Sequence, residues 1–189
     1  MKFILDKLMG YAEANMELSR YDAAKLRFML ELILLNTTML TSFAVFFLFI
    51  GRAAEFFIVT GVLVSVRWFC GGFHFKKYRY CVALSFALFA AVILLLPDIS
   101  GVYGVMEGLL AISILINMAL APVSKRNAAH SAKSNLMFKI ISTIIFLGYT
   151  VFLLLARDNP YASMITWMLF IVAVQLIVGK VMILRGKGK

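Results

Sequence analysis

The residues most suited to chemistry lie in one short stretch, residues 67–81, which reads RWFCGGFHFKKYRYC. It contains His74, one of the chain's two histidines, and both of its cysteines, Cys70 and Cys81. A cysteine becomes a strong nucleophile as the thiolate, and a histidine within hydrogen-bond reach can accept the thiol proton. His74 and Cys81 are therefore the minimal set for a cysteine peptidase or an acyl transferase.

This cysteine follows this histidine by seven positions, and the spacing constrains how they could meet. On one continuous helix the two would lie on one face but about 10.5 Å apart along the axis, too far for proton transfer. The chain must therefore fold back between His74 and Cys81, and Gly71 and Gly72 supply the backbone freedom for a bend. Cys81 is also expected near a helix N-terminus, whose dipole favours the thiolate. Cations that add to this field are Lys76, Lys77 and Arg79.

Less specific interpretations of the same residues remain open. A cysteine at the end of a membrane helix is commonly a small apolar filler or a palmitoylation site, and a histidine in a basic loop is commonly solvated. Nothing in the local pattern singles out Cys70. A metal site is not expected, because two cysteines and two histidines in separate loops lack ligand spacing, and no cofactor is expected. A structural disulfide is not expected at a reducing cytoplasmic face.

Composition places the chain in a membrane. It has 189 residues, of which 63% are hydrophobic and 15% are charged. Soluble domains carry about 25% charged residues, and a soluble fold of this size could not hide so much apolar surface. The sequence therefore predicts an all-α, polytopic integral membrane protein that forms one domain over residues 1–189.

The hydrophobic segments predict six membrane spans. A helix needs about 20 apolar residues to cross the hydrocarbon core, and spans two and three are the shortest. Their connecting segment, rich in aromatic rings, is expected to lie at headgroup depth. The six predicted spans are residues 28–50, 54–70, 81–97, 102–121, 137–156 and 161–183.

The basic residues predict the orientation of these spans. All but two of the 19 basic residues fall in the N-terminal segment, two alternate loops and the C-terminal tail. The exceptions are Arg52 and Arg157. The positive-inside rule then places both termini in the cytoplasm. The net charge of +10 is mainly this topology signal, so a nucleic-acid partner is not inferred. Anionic lipids of the inner leaflet or an acidic peptide are the partners such a face would attract.

The segment before the first span, residues 1–26, mixes acidic and apolar residues. The spacing of Ile4, Leu8, Tyr11 and Leu18 fits a loosely amphipathic helix on the inner membrane surface. A frayed polar lead-in explains the composition equally well. An interfacial salt bridge with Arg27, one turn earlier, explains Glu31 as well as any function does. Asn36, Asn117 and Gln175 are interpreted as groups that form hydrogen bonds between helices.

Arg67, Gly72, His74 and Cys81, placed between two hydrophobic segments of a six-span chain of this length, resemble the motif of the accessory gene regulator B (AgrB) family. The resemblance in length, hydropathy and loop charge covers nearly the whole chain, and the specific motif is confined to residues 67–81. AgrB-like proteins are membrane cysteine endopeptidases of Gram-positive bacteria. They process a membrane-bound propeptide, AgrD, into a cyclic quorum-sensing peptide.

The resemblance implies roles for particular residues. Cys81 would be the nucleophile, His74 the base, and Arg67 and Gly72 supporting residues. Cys81 would form a thioester with the propeptide, and a substrate thiol or hydroxyl would then close a thiolactone or lactone ring. The resemblance also implies a homodimer in the cell membrane, with its active site at the cytoplasmic face. Cations expected to contact the acidic part of the propeptide are Lys76, Lys77, Arg79, Lys125 and Arg126.

Two other functional classes compete with this prediction. A small transporter or a pore-forming protein would explain the spans and the charge bias without chemistry. It would however place ionisable residues deep within the spans, and the acidic residues Glu31 and Glu107 lie near predicted span ends. An acyl or lipid transferase that uses Cys81 is the second alternative.

Overall fold

The computed structural model describes residues 2–15, 19–71, 78–102, 104–123 and 132–186. Within these ranges the chain forms seven α-helices and no strand, apart from one isolated bridge between two residues. The fourth helix continues into a π-helical turn, Ala91–Leu95. The helices are α1 (Lys2–Asn15), α2 (Arg20–Phe49), α3 (Ala53–Cys70), α4 (Tyr78–Ala90), α5 (Val105–Leu120), α6 (Ala132–Leu155) and α7 (Ala162–Gly186).

Five helical segments are long and apolar enough to cross a membrane, so the predicted all-α, multi-span class is confirmed. The remaining predicted span, the fourth, at residues 102–121, corresponds to α5, which has 16 residues and is shorter than the other five. Large apolar side chains also face outward along the helices, as expected for contact with lipid: Phe57, Leu115 and Ile144 are each more than 60% exposed. The five segments are Arg20–Phe49, Ala53–Cys70, Tyr78–Leu95, Lys133–Leu155 and Ala162–Leu184.

The chain folds as two compact units, Met1–Gly51 and Arg52–Lys189. The first unit holds α1 and α2. Ser19 caps α2 by accepting a hydrogen bond from the amide of Asp22 at 3.1 Å, so the helix of the first span begins at Arg20. The prediction of one domain for the whole chain stays a prediction.

One feature of this first unit agrees with expectation, and another differs from it. The described part of the N-terminal segment forms α1 and then the first turns of α2. One face of α1 buries Leu5 and Met9, four residues apart, as an amphipathic helix would. Arg27 of α2 pairs with Asp6 of α1 at 3.1 Å, and the expected pair with Glu31 is absent from the described contacts. The competing carboxylate lies 21 residues away, which local spacing could not reveal.

The second unit contains α3 to α7. Helix α5 packs against α6 and α7, and α3 packs against the same two helices. The interior is filled by fully buried aromatic and aliphatic side chains, including Phe146, Leu110 and Leu169. Phe56 of α3 and Phe89 of α4 bring their ring centroids to 5.2 Å. The predicted interhelical role of Asn117 is confirmed, since its amide donates to Ser142 and Thr143 of α6.

One end of this unit, here called the hairpin end, carries the connections 96–104 and 156–161. Ser163, in the first turn of α7, donates from its hydroxyl to the Asp98 carboxylate and accepts from the Ile99 amide at 2.9 Å. Trp167 donates from its indole to the Pro97 carbonyl at 3.0 Å. Arg157 pairs with Glu107 across the two connections. Side chains thus join the two hairpins to each other.

Candidate functional site

The opposite end of the unit, here called the bridge end, contains the break between α3 and α4. Helix α3 ends at Cys70, and Gly71 follows with φ 76° and ψ −156°, outside the helical region. Helix α4 begins at Tyr78. Helix α3 therefore ends before the bend predicted between His74 and Cys81, and residues 72–77, on which most of that bend falls, lie outside the described residues.

Gly71 makes a close backbone contact with a distant segment. It forms an isolated parallel bridge with Val123, and the Val123 amide donates to the Cys70 carbonyl at 2.9 Å. A Cβ atom built on Gly71 would collide with the Val123 carbonyl oxygen and lie 3.1 Å from its carbonyl carbon. The glycine is thus required twice, because its φ is positive and because another backbone occupies the space of a side chain. The bridge joins the ends of α3 and α5, from which the predicted cytoplasmic loops depart.

Cys81, the predicted nucleophile, is half-buried in the first turn of α4. The helix begins three residues before the predicted start of this span, so the cysteine lies within the first turn, where amide groups still point toward the N-terminus. Arg67 of α3 interacts electrostatically with the Cys81 sulfur, and so does Tyr78. A half-buried thiol at this position is partly accessible, which is one condition for a reactive cysteine.

The second cysteine, Cys70, has a different environment. Its side chain is fully buried, and its thiol donates to the Gly71 carbonyl at 3.4 Å. The two cysteines are not joined in a disulfide. A buried thiol that fills core space is inert, so Cys70 fits the structural interpretation rather than a catalytic one.

Only some of the predicted site residues lie in the part of the chain that the structure describes. Arg67 lies in the last turn of α3, Gly71 follows its end, and Cys81 lies in the first turn of α4. Arg79 is exposed in the first turn of α4. The remaining predicted site residues, which lie outside the described residues, are Gly72, His74, Lys76, Lys77, Lys125 and Arg126.

A narrow cavity lies beside Arg67, between α3, α4 and α7. Its polar lining comes from Arg67, Ser85 and Gln175. Ser85 has no role in the sequence prediction. Its position four residues after Cys81, which places both on one helix face, is the signal that could have indicated it. Gln175 was predicted only as an interhelical hydrogen-bonding group. Its closeness to Arg67, which is far away in the sequence, depends on how α3 and α7 pack.

Comparisons with known proteins agree with the sequence motif. The family model of Accessory gene regulator B matches residues 5–177, which includes every residue of the candidate site. The chain is 27% identical over 171 residues to an AgrB-like protein of Clostridium beijerinckii, covering 89% of this chain and 83% of that protein. No solved structure gives a significant match.

Proposed function

The chain belongs to the accessory gene regulator B family, and we propose that it is a membrane cysteine endopeptidase and peptide cyclase. Its substrate would be an AgrD-like propeptide, cut near the C-terminus and closed into a thiolactone or lactone quorum-sensing peptide. The observation that supports this most directly is the position of Cys81. It is accessible, in the first turn of a helix, and beside the Arg67 guanidinium.

The first chemical step is acylation of the enzyme. His74 takes the Cys81 proton, and the thiolate attacks the carbonyl carbon of the scissile peptide bond. When the tetrahedral intermediate collapses, the carbon–nitrogen bond breaks and the imidazolium gives its proton to the leaving amine. The acidic C-terminal fragment departs, and the rest of the propeptide remains as a thioester on Cys81.

The second step transfers the acyl group within the substrate. A cysteine thiol or a serine hydroxyl of the propeptide attacks the thioester carbonyl, His74 accepts its proton, and the Cys81 thiolate leaves. A ring forms and the enzyme is regenerated. Exclusion of water from a loop at headgroup depth would favour this internal attack over hydrolysis. An amphipathic propeptide would reach the site by diffusing along the inner leaflet.

The proposed arrangement in the membrane has six spans, with both termini and the bridge end in the cytoplasm. Helix α5 is the fourth of these spans, and its packing against the long helices α6 and α7 supports this assignment. At 16 residues it is about 24 Å long, which requires local thinning of the bilayer. The two arginines predicted on the outer side are ion-paired, Arg52 with Glu55 and Arg157 with Glu107. The unbalanced cations then lie on the opposite side, as the positive-inside rule requires.

Partners follow from this arrangement. The acidic propeptide fragment would be attracted by Arg79 and by cations of the two loops, Lys76, Lys77, Lys125 and Arg126. The same basic face would also attract anionic lipids of the inner leaflet. We also propose a homodimer, on the basis of the family resemblance. Chemical cross-linking in native membranes would test it, with monomer at every protein concentration as the contrary result.

The decisive experiment uses the full-length protein in lipid vesicles with an AgrD-like propeptide. Mass spectrometry should detect an acyl adduct on the Cys81 peptide, the released acidic fragment and a cyclic product. Cys81→Ser or His74→Ala should lower cleavage by about a thousandfold or more, since each removes an essential group. Cys70→Ala is the matched control and should cleave normally. Normal cleavage in either of the first two variants would exclude the proposal, and a linear product would leave a peptidase without cyclase activity.

A further inference from the structure

The main-chain bridge between Gly71 and Val123 joins the ends of two helices that are distant in the sequence. Helix α3 ends at Cys70, and α5 ends at Leu120. The Val123 amide donates to the Cys70 carbonyl at 2.9 Å, and Val123 pairs with Gly71 in a parallel bridge. The hydrogen bond is made by backbone atoms, so any residue except proline could supply its donor at position 123.

Both partners of this bridge are held in place by further contacts. The Gly71 amide donates to the Arg67 carbonyl at 3.1 Å, which ties it to the last turn of α3. Its φ of 76° and ψ of −156° lie in a region essentially restricted to glycine, and a Cβ atom there would collide with the Val123 carbonyl oxygen. The Val123 side chain is only 2% exposed, so the surrounding core restrains it. The bridge is thus a rigid anchor at one point of the chain.

The anchor is close in the sequence to the two groups of the proposed chemistry. His74 follows Gly71 by three positions, and Cys81 lies in the first turn of α4, which begins at Tyr78. Three residues of chain span at most about 11 Å, so an anchored Gly71 limits how far His74 can lie from this point. A short connection that is fixed at both ends has fewer conformations than one that is fixed only at α4. Restricting conformations in this way can hold reacting groups in a productive geometry.

We propose that Val123 is a positioning residue of the peptidase, whose main chain anchors Gly71 so that His74 can meet Cys81. Val123 acts through the backbone of Gly71 and takes no part in the bond changes. The inference deepens the proposed function and rests on it for the identity of the two catalytic groups. When the anchor is lost, the imidazole reaches the sulfur less often. The acylation step then slows, while binding of the propeptide is unchanged.

Propeptide cleavage by the full-length protein in vesicles is the first test. Val123→Pro removes the N–H that donates to the Cys70 carbonyl, since proline has no amide hydrogen. It should lower kcat by about ten- to a hundredfold and leave KM within about twofold, because a small misplacement of reacting groups costs about this much. Val123→Ala is the matched control. It keeps the N–H, removes most of the buried side chain, and should keep kcat within about threefold.

A second test measures the approach of the two positions without any substrate. His74→Cys in a Cys70→Ala background leaves thiols at positions 74 and 81 only. Diamide takes two electrons and two protons from this pair and forms a disulfide, whose rate reports how often the two positions meet. Adding Val123→Pro should slow this reaction by about three- to tenfold. Adding Asn117→Leu, which removes hydrogen bonds between α5 and α6 but none of the bridge, should leave the rate unchanged.

Unchanged kcat or an unchanged disulfide rate in Val123→Pro would overturn the proposal. A greater loss in Val123→Ala would do the same, since it would assign the effect to side-chain packing. If Val123→Pro unfolds, the α-hydroxy analogue of valine at position 123 removes the same N–H, keeps the side chain and should give the same losses. If no disulfide forms in the parent background, the two positions do not meet and the proposal fails. If the native protein does not cleave the propeptide while the disulfide rate still depends on Val123, the proposed function fails and the anchoring role stands.

Discussion

The two ends of the second unit are held together in different ways. At the hairpin end, side chains make the connections: Asp98 accepts from Ser163 and from Ser100, and Arg157 pairs with Glu107. At the bridge end, the described connection is between backbones, from Val123 to Cys70 beside Gly71. The hairpin end therefore depends on the identity of several polar side chains, whereas the bridge end depends on the absence of a side chain at one position.

This difference suits the proposed chemistry. A backbone contact fixes the origins of both basic loops without occupying the charged side chains that a substrate would need. The side-chain contacts of the hairpin end instead neutralise its carboxylates and arginines locally. The comparison can be tested by removing one contact at a time.

The largest effect is expected from Gly71→Ala. The added Cβ collides with the Val123 carbonyl, and alanine is strained at φ 76°. We expect a loss of about 2–4 kcal/mol of stability, since backbone strain and a steric clash act together. The bridge should open and expose Cys70. Thermal unfolding in detergent and alkylation of Cys70 measure the two effects.

Gly104→Ala is the matched control for that substitution. Gly104 has φ 82°, close to that of Gly71, but a Cβ there meets no atom within 4 Å. It should cost only the conformational strain, about 1 kcal/mol, with Cys70 still protected. If the two alanine variants unfold at the same temperature, the Val123 contact does not hold the bridge end.

A smaller effect is expected from Asn117→Leu, near the bridge end of α5. The substitution removes two hydrogen bonds of 3.2 Å to Ser142 and Thr143. It also removes a buried carbonyl oxygen that accepts no hydrogen bond from the described residues, which offsets part of the loss. The expected cost is about 1 kcal/mol, measured by thermal unfolding. An increase in stability would show that the unsatisfied oxygen dominates.

The smallest effect concerns pH at the hairpin end. Hydrogen bonds from Ser163, and then from Ser100, hold the pKa of Asp98 below its ordinary value of 3.8. A carboxyl group whose pKa is lower in the folded state stabilises the fold fully above its unfolded pKa. That contribution is lost as the pH falls through the folded value. Asp98→Asn should therefore unfold at a lower temperature than the native protein at pH 7, and the difference should shrink below about pH 4.

Ser163→Ala sharpens that measurement, because it removes the largest cause of the Asp98 shift. In this background the Asp98→Asn substitution should matter less at pH 7. A difference between native protein and Asp98→Asn that is constant from pH 7 to pH 3 would contradict the assignment.

The spacing of apolar and charged residues predicted much of the fold. It failed where a residue far away in the sequence competes for the same ion pair. Apolar length predicted the spans to within a few residues at α3 and α7. Helical spacing favours a pair between Arg27 and Glu31, but Arg27 pairs with Asp6 of another helix. Helical spacing describes only neighbours three or four residues apart, and it cannot weigh a partner brought close by packing.

The sequence by itself determined the class of the protein, the positions of its long apolar helices and the stretch that carries its candidate chemistry. Those properties follow from hydrophobic length, charge and residue type, which are local. Only the tertiary structure decided that Val123 lies against Gly71 and that Ser85 and Gln175 share a cavity with Arg67. These contacts join residues on different helices, and the packing of many side chains together, rather than any short motif, sets which helix faces meet.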